Sequence, residues 1–115
     1  MKSNLLKSYK VAVAYPDVSG FEVLELLDIR SKLAELENSL TINEKVTLEQ
    51  ADEILLDNME AFYGKIQEIG YLPEFRKRAK VLPSHWWWYM DKFINVGEKY
   101  VRKRFEILQS VEAVG

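Results

Sequence analysis

The chain contains no cysteine. Disulfide staples, thiolate zinc sites and thiol catalysis are excluded together. Small secreted domains commonly depend on such staples, so their absence points to a reducing compartment, the cytoplasm. Breakers are scarce, with three prolines and five glycines in 115 residues, which favours long helices. No apolar run approaches the roughly eighteen residues that a membrane span needs. The N-terminal stretch is interrupted by Lys7 and Lys10 and stops at Tyr15-Pro16, so it offers no clean signal-peptide core. Gly-rich phosphate loops and dinucleotide fingerprints are missing. So are the helical Glu-x-x-His pairs of di-metal bundles. Neither a metal nor a cofactor is expected.

What is present reads as one helical domain spanning 1–115. Apolar residues make up 48 % of the chain and charged residues 30 %, a globular balance. Ser19 and Glu22 have the spacing of a capping box and open a helix over 19–40. Along it Leu26, Ile29, Leu33, Leu36 and Leu40 recur at alternating steps of three and four, a seam on one face. Asp28 and Lys32 add a favourable i,i+4 pair. Residues 41–46 read as a connection. Thr47 and Gln50 then form a second box, opening a helix over 47–70 with Leu48, Ala51, Leu55, Met59, Phe62, Ile66 and Ile69 on one stripe. Gly70 stands where a left-handed residue would close it. These two helices predict an antiparallel hairpin.

Pro73 suits the first turn of a short connector helix over 74–80. Ser84 would then cap a long C-terminal helix running from 84 to about 110, with Gly97 in its apolar face marking a close helix crossing. The N-terminal segment 1–16 fits a short helix or an arm. The expected class is therefore all-α: a hairpin, a connector helix and a long C-terminal helix in a small bundle.

Charge is unevenly distributed. Residues 1–16 hold three Lys and no acid, residues 17–70 hold 4 Lys/Arg against 13 Asp/Glu, and residues 71–115 hold 9 against 5. Intrachain pairing of an acidic and a basic region accounts for this without a partner. The alternative is polyanion binding, with nucleic acid the partner, through Arg76, Lys77, Arg78 and Lys80 together with Arg102, Lys103 and Arg104. A sequence pI near 5.5 weighs against it.

The most unusual run is Leu82-Pro83-Ser84-His85-Trp86-Trp87-Trp88-Tyr89. On a continuous helix each residue turns by about 100°, so three neighbouring indoles fan out. Trp86 then faces the core, Trp87 sits at its boundary and Trp88 points outward, beside Lys92 and Lys99. Such an indole packs under the N-terminal segment or the 71–83 linker, sits in an interface, or stacks on Lys92 as a cation–π pair; the interface reading makes Trp87, Trp88, Lys92 and Lys99 the candidate partner-binding set. With the leucine seam it also suggests a homodimer. His85, the single histidine, reads as a polar residue in a first helical turn. A small enzyme built on His85 and Tyr89 would require a pocket holding His85 and a carboxylate. The leading expectation is a non-catalytic helical protein acting through protein–protein interaction, assembly or regulation.

Overall fold

The computed structural model describes residues 2–94. Within them lie six α-helices: α1 Lys2–Val13, α2 Gly20–Glu35, α3 Ile42–Asp57, α4 Met59–Ile69, α5 Leu72–Ala79 and α6 Met90–Ile94. Two 3₁₀ turns, Glu37–Ser39 and Trp86–Trp88, complete the helical elements of the described residues, and the fold is an all-α bundle.

α2 begins as its sequence predicts. Ser19 Oγ accepts from the Glu22 amide at 3.2 Å, and the Glu22 carboxylate accepts from the Ser19 amide at 2.9 Å. Two orphan donors of the first turn are thereby satisfied. Leu26 and Leu33 of the seam are fully buried, Leu40 nearly so, while Ile29 and Leu36 are half-buried. The seam is occupied within the chain by α1 and α4, both of which pack on α2.

The second helix departs from expectation in two places. It opens at Thr41 and not Thr47, through a capping box with Glu44 (2.7 and 3.1 Å). Thr47 lies inside α3 and its hydroxyl donates to the Asn43 carbonyl one turn back. Apolar periodicity did not mark this first turn because Ile42 and Val46 face solvent. The helix then breaks at Asn58, which caps the C-terminus of α3 and the N-terminus of α4. The Asn58 amide donates to the Val13 carbonyl at 2.8 Å, satisfying an acceptor left open at the end of α1. As a result α4, not α3, lies along α2, and α1 packs against both α2 and α3.

Gly70 is extended (φ 163°, ψ −148°) and not left-handed. Its lack of a side chain serves space: a Cβ would sit 2.7 Å from the Phe75 ring. α5 carries Pro73 in its first turn as predicted and closes at Lys80, a left-handed residue (φ 54°, ψ 44°).

The expected helix from 84 does not start there. His85 and Trp86 bond back to Leu82 and Ser84, and Trp88 and Tyr89 bond three residues back to His85 and Trp86. A helix resumes only at Met90. The 3₁₀ turn lets all three indoles turn inward, leaving Trp86, Trp87 and Trp88 at 5 %, 2 % and 4 % exposure. The Gly97 crossing and the long helix's remainder lie outside the described residues. No helix among the described residues is long and apolar enough to cross a membrane.

Candidate functional site

On α2, Asp28, Ser31 and Glu35 follow one another at steps of three and four, which places them on a single stripe. Facing this stripe is the segment that links α5 to the tryptophan turn. Between them lies a cleft of about 160 Å³, whose walls include Asp28, Ser31, Glu35, Lys80, Leu82, His85 and Trp88.

Three groups converge on the Ser31 hydroxyl. The indole Nε1 atoms of Trp87 and Trp88 both donate to Oγ at 3.0 Å, and His85 Nδ1 lies 3.0 Å from the same atom. A hydroxyl accepts twice and donates once. The two indoles fill both acceptor positions, so the Ser31 proton must point at His85 Nδ1. Nδ1 is therefore an acceptor, and His85 is the neutral tautomer with its proton on Nε2. His85 is 9 % exposed, and its ring stacks on Trp87 at a centroid distance of 4.6 Å. Burial pushes its pKa below the ordinary histidine value, Arg30 adds to the depression, and Glu35 opposes it.

Behind this cluster sits a buried ion pair. Arg30 Nε and Nη2 donate to the two oxygens of Asp52 at 2.8 and 3.0 Å. The Tyr9 hydroxyl donates to Oδ1 of the same carboxylate at 2.5 Å. The guanidinium carbon lies 4.1 Å from the centre of the Trp87 ring. One residue, Trp87, thus links the ion pair to the Ser31 cluster. Burial foremost, with the Asp52 charge second, drives the Tyr9 phenol well above its usual range. Burial works against the Arg30 charge, but Asp52 outweighs it and holds the guanidinium protonated.

A third anchor fixes the tryptophan turn from α5. Arg76 Nη1 donates to the Trp88 carbonyl at 3.0 Å and to Asp91 at 2.8 Å, and the guanidinium lies 4.3 Å over Tyr89. Comparison with family models, with curated proteins and with solved structures finds no match for this chain.

Several residues singled out from sequence stand elsewhere than expected. Trp87 and Trp88 are interior, so the surface argued from an outward indole is withdrawn; their indole N–H groups need Ser31, which draws them in. Lys92 is exposed, and Lys99 lies outside the described residues. Of the basic set, Arg76 is committed to Asp91, whereas Lys77, Arg78 and Lys80 are exposed. Arg102, Lys103 and Arg104 lie outside the described residues. His85 is buried in the 3₁₀ turn region and does not occupy a solvated helical turn. It does share a cleft with the carboxylates Asp28 and Glu35, but Tyr89 is turned to Arg76.

Sequence reading missed Ser31, Arg30 and the role of Asp52. A signal existed for the last two. Arg30 falls four residues after Leu26 and three before Leu33, on the apolar stripe, and Asp52 neighbours Ala51 and Leu55. Opposite charges on the buried faces of two helices imply a pair. Ser31 gives no comparable sign, because a serine between charged neighbours is ordinary helix surface.

Proposed function

We propose that the chain is a non-catalytic helical interaction protein, acting in the cytoplasm as an adaptor, assembly factor or regulatory subunit through a protein partner or a second copy of itself. The observation that carries this reading is the saturation of Ser31. A nucleophilic serine needs a base to take its proton and a free oxygen lone pair to attack with. Here His85 Nδ1 accepts the Ser31 proton as a base would, but the Trp87 and Trp88 indoles occupy both Oγ lone pairs, so none is free to attack. With the attacking lone pairs of Ser31 occupied, Ser31 and His85 serve as a packing clasp.

Exposed apolar side chains support the contact half of the proposal. Ile42 is 81 % exposed and Val46, one turn later on α3, 46 %. Phe21 and Tyr15 are also open to solvent. Such side chains are the usual material of interface cores. The lack of cysteine supports the compartment.

Light scattering across a wide concentration range, paired with affinity capture and reconstitution of any captured partner, tests the reading. A dimer, or a stoichiometric complex weakened by Ile42→Asp, is expected. A chain that stays monomeric and forms no direct complex overturns it. So does hydrolytic turnover that disappears in Ser31→Ala.

A further inference from the structure

His85 brings to the cleft beside Ser31 a ring N–H without a partner among the described residues. His85 is about nine-tenths buried, its Nδ1 is taken by Ser31, and Nε2–H has no hydrogen-bond partner among the described residues. His85 is one of the residues lining the cleft. A buried donor without an acceptor is costly and calls for a ligand atom with a lone pair. The walls narrow the choice further. Asp28 and Glu35 flank Ser31 on α2, and Lys80 is the one cation of the lining, which leaves the rim with one net negative charge. Asp28 is engaged by Lys32 at 3.3 Å, but both side chains are more than half exposed, and such a pair is readily given up. Once that pair opens to an incoming cation, the walls carry one net negative charge, which favours cations over phosphates and other anions.

We propose that this cleft binds an extended basic peptide segment of a partner protein, with a main-chain carbonyl accepting from His85 Nε2–H and two Lys or Arg side chains reaching Asp28 and Glu35. The spacing fits. Seven residues of helix separate the two carboxylates by about 10 Å along α2. In a polyproline-II strand, residues three apart share a face and are separated by about 9 Å. Leu82, 60 % exposed on the cleft wall, supplies apolar contact for the residues between. The proposal rests on the reading of the chain as an interaction protein and specifies its partner's chemistry.

Fluorescence anisotropy with a capped, labelled peptide carrying two lysines three positions apart tests it on the full chain. His85 is the single histidine, so its ring nitrogen resonances report contact directly. Saturable binding is expected, with a shift at Nε2. Asp28→Asn and Glu35→Gln, both at exposed positions, should together weaken binding about tenfold or more, as the loss of charge-assisted bonds implies. Binding that is unchanged in the double variant overturns the proposal, as does equal affinity for spermidine, which brings the charges without a carbonyl. Absence of binding with an unmoved His85 resonance overturns it too. If light scattering still finds a dimer or a complex in that case, the cleft assignment fails while the interaction reading stands.

Discussion

Arg30 and Asp52, on α2 and α3, join in a two-pronged ion pair of 2.8 and 3.0 Å that is almost sealed from solvent. Buried pairs are asymmetric in their energetics: the pair itself gains little over an apolar replacement, whereas breaking it leaves a bare charge. Asp52→Asn should therefore cost about 3–5 kcal/mol in urea unfolding. The double variant Arg30→Met, Asp52→Leu should recover most of that loss. If Asp52→Asn costs less than the double variant, the pair is not what ties α2 to α3.

Ser31→Ala should be far more damaging than an ordinary half-buried serine substitution. Removing one oxygen leaves two indole N–H donors and a histidine acceptor without partners. Each unsatisfied buried group costs about 1–3 kcal/mol, partly relieved by water from the cleft, so a loss of about 2–4 kcal/mol is expected. The change should also alter tryptophan emission, since two of the three indoles lose the one hydrogen-bond partner they have among the described residues. Equilibrium denaturation followed by fluorescence measures both. A loss below about 0.5 kcal/mol, the level of a neutral surface change, contradicts the clasp.

Much of the architecture could be read from residue spacing, and the exceptions share a cause. Period-based reading finds faces that are already apolar, as on α2 and α4, and there it succeeds. It fails where a polar group chooses the geometry. Asn58 breaks a helix because Val13 needs a donor. Thr41 opens α3 ahead of two outward-facing apolar residues that carried no pattern. The tryptophan turn inverts the expected outward indole because Ser31, more than fifty residues earlier, accepts both of its N–H groups. The cleft depends wholly on such long-range polar contacts, so it had no local signature.

Acid should loosen the clasp through His85. Its folded-state pKa is depressed by burial and by Arg30, so the unfolded chain takes up the proton first. The unfolded state then binds more protons over the interval between the two values, and stability falls as pH drops. The loss begins near the ordinary histidine pKa of about 6.5 and ends below the folded value. Protonated Nδ1 would also face the Ser31 proton, adding repulsion at the clasp. Thermal melts of the native chain should therefore decline below pH 6.5 more steeply than those of His85→Gln. Parallel declines would show that carboxylates alone set the acid limb.

Lys80 closes α5 with a left-handed backbone (φ 54°), a conformation that costs a residue with a Cβ about 1–2 kcal/mol. Lys80→Gly relieves this, offset by the extra freedom glycine gives the unfolded chain. A net gain of about 0.5–1 kcal/mol is expected in chemical denaturation. A loss would mean that the lysine side chain stabilises the cleft wall by more than the strain.

Two helical glycines should respond in opposite senses to the same substitution. At Gly20, a Cβ would meet the Lys65 carbonyl and approach Ile69 Cγ1 to 2.7 Å, because the start of α2 is pressed against α4. The carbonyl belongs to the backbone and has no rotamer to yield. Gly20→Ala should destabilise by about 1–3 kcal/mol, the range for overpacking. At Gly64, within α4, a Cβ would meet nothing within 4 Å. Gly64→Ala gains helix propensity without a clash and should stabilise by about 0.5–1 kcal/mol. Urea midpoints of the two variants, measured side by side, should fall on opposite sides of the native chain. Equal shifts would show that the α2–α4 contact at Gly20 is looser than its geometry requires.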